Sequence, residues 1–536
     1  MTNHYFNSPP SMLKKREYHT TSRREILPFI AVGFLGVTTV YTYRALQQMD
    51  KDWDDYYDAL EEYKSATGLD PEKDTSDTQT NQTSSRDLSS HFTGGTLAID
   101  LGTSTLKISH RQSSTNNNNK TKDPTVSVDR EGHRSTPALV WLGENNDDET
   151  IVGRLAQARS YDKKNGCIIH PRLAMEKNEN NNLVLKATQN IIRTVAGDVL
   201  DQILGGGRGG GDTNEPLFVL DSTRTTKGYN VRPIFLYPSH SGSQYLTNYR
   251  NATSELTSPG IASYVEEPIA AVTGAEHYNL LPPASADAKS VLVIDVGGVS
   301  TSISLVSGDK VVLHSTSFPL GGDTFIDALV SHLIRNFDGF QHEDSSDRMA
   351  TDDCSSPLST KPTLSDASAL QRLYEASTHA IFELSNNTRS QINIPYLTMD
   401  LETRQPKHLD AGVAKTVVES EVETFISKIL VPHLESGGNV LSQSFPPPST
   451  LSALFSSAIM SILEKTSLTP FQLRGILLVG GGARIPLVRE SLKTGVAVLA
   501  GDVYVNGTDS KRLIMLESEL SGEINVIGAA LCGSEG

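Results

Sequence analysis

From Thr96 onward the chain alternates two hydrophobic rhythms. Short apolar runs rich in Val, Ile and Leu give way to longer stretches with apolar residues at helical spacing. The short runs predict strands and the longer ones helices. Their alternation predicts an α/β architecture. Two of the runs are related to each other. "LAIDLGTSTLKIS" (97–109) and "VIDVGGVSTSIS" (293–304) both read Ile-Asp-x-Gly, cross a hydroxyl-rich turn and return to Ile-Ser at the same offset. Ile99, Asp100, Ile108 and Ser109 thus correspond to Ile294, Asp295, Ile303 and Ser304. Such a duplication predicts two similar lobes, each opening with a β-hairpin whose turn faces the other. Both motifs would then point into one shared cleft.

The pattern before Thr96 is different. Ile26 to Tyr43 carries no charge, close to the roughly 17–25 residues a membrane-spanning helix needs. Lys14, Lys15, Arg16, Arg23 and Arg24 precede it, and an acidic stretch follows from Asp50, which orients the N-terminus to the positive side. Residues 1–25 read as a basic tail or presequence and 26–46 as an anchor; a cleaved secretory signal is the alternative. The Arg-, Ser- and Thr-rich "KKREYHTTSRRE" resembles a mitochondrial presequence. That predicts a single-pass protein of the mitochondrial inner membrane with its C-terminal domain in the intermembrane space. An endoplasmic-reticulum anchor with a lumenal domain is the rival. Residues 47–93 predict an acidic stalk helix, with Met49, Trp53, Tyr56, Tyr57, Leu60 and Tyr63 on one face, and then a flexible linker. Residues 94–290 are assigned to the first lobe and 291–536 to the second. Polar segments at 111–123, 204–212 and 341–366 interrupt the α/β pattern as loops or insertions. The glycine-rich "LGGGRGGGD" lacks the Gly-Lys-Ser/Thr ending of a P-loop.

Composition narrows the function. A formal net charge of -16 argues against non-specific nucleic-acid binding, and no nucleic-acid partner is expected. Three widely spaced cysteines, Cys167, Cys354 and Cys532, give neither a disulfide framework nor zinc spacing.

The two hairpin turns suit a nucleoside triphosphate. Tight turns offer backbone N–H groups to phosphate oxygens, and glycine lets the backbone come close. Gly102, Thr103 and Ser104 can do this in one lobe, and Gly297, Gly298 and Ser300 in the other. Asp100 and Asp295 can hold Mg²⁺ through its waters. A third element, "GILLVGGGARIPLVRESL" (475–492), runs a strand through Gly480, Gly481 and Gly482 into a helix. Such a turn admits a flat ring or a phosphate to the backbone, and close packing explains it equally well.

Taken together and in order, "LAIDLGTSTLKIS", "YVEEPIAAVTGAE" (264–276), "VIDVGGVSTSIS" and "LVGGGARIP" resemble the ATPase domain of the heat-shock protein 70 chaperone family, within the actin and sugar-kinase superfamily. "RSTPALVWL" (134–142), "FPLGGDTFIDALV" (318–330) and "NVIGAALCG" (525–533) extend the resemblance across residues 94 to 536. It implies a two-lobed actin-like ATPase fold with duplicated ribonuclease-H-like lobes, binding ATP or ADP with Mg²⁺. By the same resemblance Asp100 and Asp295 lie near the metal, and Thr103, Ser104 and Ser300 are phosphate-turn hydroxyls. Glu267 is the catalytic-site carboxylate, with Asp295 assigned beside it. Gly480, Gly481, Gly482 and Arg484 form the adenosine turn.

The departures from the family pattern concern catalysis. Val299 stands where the family has glycine and Ser302 where it has a carboxylate. Pro171 stands at the family's catalytic Lys, with Lys163 and Lys164 the nearest replacements. Losing one cation beside a transferring phosphoryl group costs roughly 10²–10³ in rate. Thr378, Ile381 and Phe382 replace the charged adenine-side helix, with Ser385 kept; Phe382 reads as a core residue or as a base-stacking one. The family's peptide-binding module is not expected after Gly536. The sequence therefore predicts a membrane-anchored, chaperone-like ATP-binding protein with weak or absent hydrolysis and a protein partner or client. A nucleotide-free scaffold is the alternative, and a sugar-kinase-type phosphotransferase a more distant one.

Overall fold

A computed structural model describes residues 92–532 apart from 93, 113–122, 144–149, 161–165, 178–181, 205–215, 220–227, 286–287, 338–366, 385–386, 400–404, 438–439, 443, 501–512 and 517. The basic tail, the anchor and all of the 47–93 segment except Phe92 lie outside the described residues. So do the 341–366 insertion, most of the 111–123 and 204–212 loops, and Lys163, Lys164 and Ser385. Among the described residues no helix is long and apolar enough to cross a membrane.

The sequence repeat becomes a repeat of sheets. In the first lobe β1 (Thr96–Leu101) and β2 (Thr105–Arg111) form an antiparallel hairpin extended by the short β3 (Thr125–Val126) and β4 (Thr136–Pro137). A small separate sheet follows, made of β5 (Val140–Gly143), β6 (Thr150–Val152) and β7 (Gly166–Ile169). Then β8 (Arg232–Tyr237) and β9 (Ser263–Glu266) add to β1 in parallel, giving the order β3-β2-β1-β8-β9. In the second lobe β10 (Ser290–Val296), β11 (Thr301–Val306) and β12 (Val312–Phe318) form an antiparallel meander. After a two-stranded ribbon, β13 (Arg389–Met399) and β14 (Pro406–Ala414), β15 (Leu473–Val479) and β16 (Leu513–Met515) join β10 in parallel. The order β12-β11-β10-β15-β16 repeats the first sheet's plan of a hairpin followed by parallel strands.

Two helices, Glu267–His277 and Ser518–Cys532, lie between the sheets. Ala270, Val526, Ile527, Ala529 and Ala530 pack on Ala98, Ile234 and Leu236 of the first sheet. Ala271, Val272, Ala275 and Ile524 pack on Val291, Val293, Leu477 and Val479 of the second. Small residues allow the helices to cross closely: a Cβ on Gly528 would stand 1.8 Å from the Ala270 carbonyl oxygen. This crossing corrects the assignment of 291–536 to one lobe. The terminal helix belongs as much to the first sheet as to the second. On the outer faces, Leu97, Ile99 and Leu101 join a core under the helix Asn182–Leu204, and Leu292, Ile294 and Val296 join one under the helices Gly322–Asn336 and Leu451–Thr466.

Candidate functional site

Strand periodicity decides what faces the cleft, because successive side chains point to opposite sides of a sheet. Asp100 shares the side of Ala98, which packs inward, and Asp295 shares the side of Val291 and Val293. Both carboxylates therefore stand at the inner, cleft-side ends of corresponding strands. They line one cavity with Gly102, Thr103, Ser104, Glu267, Gly297, Gly298, Ser300, Gly480, Gly481, Gly482 and Arg484. The residues assigned from the sequence to the phosphate, metal and adenosine sites all line this cleft, while Lys163 and Lys164 lie outside the described residues.

The hairpin turns close in the same way. Gly102 N–H donates to Thr105 O at 2.9 Å, and Gly297 N–H donates to Ser300 O at 2.9 Å. The turns also touch each other. Val299 N–H donates to Thr103 Oγ1 at 3.3 Å, and Ser104 Oγ donates to Asp323 Oδ2 at 2.6 Å. A Cβ on Gly298 would lie 1.8 Å from Ser104 Oγ, so only glycine fits there. Val299 is not among the residues with positive φ, so its β-branch sits in the turn without left-handed strain. The third element enters from behind. Gly480 has φ +94, and a Cβ on it would stand 2.3 Å from Asp295 Oδ1. Its N–H donates to Ser521 O of the terminal helix at 2.7 Å. Arg484 lays its guanidinium over the Phe382 ring, 5.2 Å from the centroid. Phe382 is 39% exposed and lines the cavity with Thr378, Ile381 and Ile326, so it is not a core residue.

The electrostatics are set by groups that were not nominated. Strand β9 runs directly into the helix at Glu267, which places that carboxylate at the end of a parallel strand, where open α/β sheets bind ligands. Opposite it, Pro171 starts the helix Pro171–Glu176 and Arg172 follows, nearly fully buried. Arg172 Nη1 donates to Glu267 Oε1 at 2.6 Å and Nη2 to Oε2 at 3.2 Å. Its Nε donates to Glu176 Oε1 at 3.0 Å. Burial pushes the Glu267 carboxyl up to about 8; Arg172 opposes the rise, while Asp100 and Asp295 add to it. Burial also lifts Asp295 above the ordinary carboxylate range, against the Asn525 amide, whose Nδ2 donates to Asp295 Oδ2 at 2.7 Å. His240 is held neutral, its value lowered to about 4 by burial and by Arg172. Asn525 Oδ1 is a buried acceptor without a protein partner, on the cavity wall.

Lys107 was also missed. It pairs across the hairpin with Asp100, as Ser302 pairs with Asp295. Both positions follow from the turn closure, so the repeat contained that signal. Asp323 and Asn525 lie within segments quoted for the resemblance and were not nominated.

Two β-hairpins presenting glycine turns to each other across a cleft, on duplicated sheets tied by crossing helices, fit an Hsp70/actin-like ATPase fold. Comparison with known proteins agrees. Residues 266–444 match the Hsp70 protein family. The chain is 25% identical over 423 residues to heat shock protein hsp-6 of Caenorhabditis elegans, covering 76% of this chain and 55% of that protein. It is 29% identical over 209 residues to chaperone protein dnaK of Guillardia theta, covering 38% of this chain and 26% of that protein. The chain is thus similar to Hsp70-family proteins, and its match spans about half the length of the worm protein.

Proposed function

We propose that the cleft binds Mg²⁺-ATP between the lobes and that the protein is a chaperone-like factor with slow ATP hydrolysis. The observation that carries this reading is the convergence of both hairpin turns, the 480–484 turn and the carboxylates of Asp100, Glu267 and Asp295 on one cavity. The residues suit the ligand. Backbone N–H groups of the turns at Gly102–Ser104 and Gly297–Ser300 would meet the phosphates, and Phe382 with Arg484 the base. Asp100 and Asp295 would hold hydrated Mg²⁺. Among the described residues no cluster of three or more His, Cys, Asp or Glu is spaced to ligate a metal directly, so the ion would keep most of its waters. Bound nucleotide would fix the lobe angle and so control a protein partner or client. Hydrolysis is slow because Pro171 and Ser302 replace a cation and a carboxylate.

The 26–46 segment is proposed as the anchor, in the mitochondrial inner membrane with the ATPase domain in the intermembrane space. Protease protection of the domain in intact mitochondria, lost on rupture of the outer membrane, tests this; a domain protected only in endoplasmic-reticulum vesicles overturns it. For the cleft, Mg²⁺-ATP should raise the melting temperature of the full chain, and Asp295→Ala should reduce the shift. A flat response of folded protein at millimolar nucleotide removes the reading. The contact of Ser104 with Asp323 across the turns favours the scaffold alternative, in which the lobes stay closed without nucleotide.

A further inference from the structure

We propose that Lys107 is a nucleotide-binding residue: its ammonium, carried into the cleft by β2, supplies from the chain itself positive charge that phosphates otherwise draw from Mg²⁺, so that nucleotide stays bound when the divalent cation is removed. The inference rests on the ATP-binding reading and deepens it, because it says how the cleft meets the phosphate charge.

Strand geometry brings Lys107 to the site. It pairs with Asp100 across the β1–β2 hairpin, and side chains paired in this way stand on one face of a sheet. Lys107 therefore shares the inner face on which Asp100 stands, and both line the cavity. The residue is half-buried. A Cβ on Gly522 of the terminal helix would stand 3.9 Å from Lys107 Nζ and 4.0 Å from Gly481 Cα, which sets the ammonium beside the 480–482 turn. Burial lifts the Asp295 carboxyl, and the Lys107 charge is one of the groups that oppose the rise. The ammonium thus lies within electrostatic reach of the second hairpin as well as the first.

The other cations of the cavity are committed. Arg172 forks onto Glu267 and holds Glu176 through Nε. Arg484 lies over the Phe382 ring, at the proposed base end. Among the described residues the Lys107 ammonium makes no hydrogen bond and no salt bridge, although the carboxylates of Asp100, Glu267, Asp295 and Asp323 line the same cavity. A triphosphate entering there brings negative charge to negative charge, and the cleft needs a cation to accept it. Lysine suits the task. It is a compact point charge with three donors on a flexible stem, so it can follow a phosphate oxygen without a fixed fork geometry. The second hairpin offers no equivalent, because Ser302 at the matching position carries a neutral hydroxyl.

The test measures the ATP affinity of the full chain by calorimetry, once with Mg²⁺ and once with EDTA, for wild type, Lys107→Met and Lys310→Met. Lys310 lies outside the cavity, beside Glu276, and controls for the loss of one positive charge. Lys107→Gln serves where Lys107→Met fails to fold. Wild type should bind ATP in EDTA within about tenfold of its affinity with Mg²⁺. Lys107→Met should lose about 10–10²-fold in EDTA and several-fold less with Mg²⁺, whose charge substitutes in part. Lys310→Met should match wild type in both buffers. An EDTA affinity that is unchanged in Lys107→Met overturns the assignment. So does an equal loss in both buffers, which a merely structural role would give, and so does an equal loss in Lys310→Met. Wild type that binds ATP only with Mg²⁺ also overturns it. Wild type that binds ATP in neither buffer overturns the ATP-binding reading itself, and the Mg²⁺ buffer tells the two failures apart.

Discussion

The two hairpins that face each other across the cleft share a backbone plan and differ in what they carry. In β1–β2 the residue paired with Asp100 is Lys107, and the nearby Glu267 is forked by Arg172. In β10–β11 the residue paired with Asp295 is Ser302, and the partner of Asp295 is the neutral amide of Asn525. The charged machinery is concentrated on the first lobe. The second hairpin offers glycines, hydroxyls and one carboxylate. A duplicated scaffold needs two phosphate turns to grip a nucleotide, whereas the acid–base groups need only one side. Loss of charge from the second hairpin is then compatible with binding and costly for rate.

The sharpest break of this comparison is energetic. Arg172→Met leaves Glu267 buried without its cation and should lower stability by about 3–5 kcal/mol in denaturant unfolding. Ser302→Ala on the other hairpin should change it by less than about 0.5 kcal/mol. Equal effects would show that the asymmetry is only apparent. Next in size is the proposed base pocket, which lies on the second lobe. Phe382→Ala removes a stacking face and should weaken ATP binding by about 1–3 kcal/mol in a calorimetric titration, with stability nearly unchanged. Of similar size is the contact between the turns. Gly298→Ala places a Cβ against Ser104 and should cost about 1–3 kcal/mol of stability, relieved when Ser104→Gly is added.

The last test is a pH slope at Glu267. The Glu267 carboxyl is raised to about 8 in the folded protein, above its ordinary value. Between those values the folded state binds more protons than the unfolded state, so stability contributed by this group is present at low pH and falls as pH rises through 8. Melting temperatures from pH 5 to 9 should show this decline in wild type and a shallower one in Glu267→Gln.

What the sequence disclosed follows from range. The repeat around Asp100 and Asp295 was legible because strand alternation and turn closure act within about a dozen residues, and the same short-range logic located the glycines at 480–482. Arg172 was not legible because its burial against Glu267 is a contact between residues 95 positions apart in sequence. Asn525 was invisible for the same reason. It meets Asp295 only because the terminal helix crosses back between the sheets, a packing event between residues 230 positions apart in sequence. The same crossing is why a lobe boundary drawn at 290 misplaces the residues from Ser518 to Cys532. Phe382 could not be assigned because an aromatic residue on an amphipathic helix reads alike whether it faces the core or a cleft.

The central claim is that nucleotide is held between the lobes, and equilibrium binding of labelled ATP to the full chain tests it most directly. With Mg²⁺, one site per chain should saturate; Asp295→Ala and Gly298→Ala should weaken it, and unlabelled ADP should compete. Folded protein that binds no ATP at millimolar concentration, or binding indifferent to both substitutions, would contradict the account.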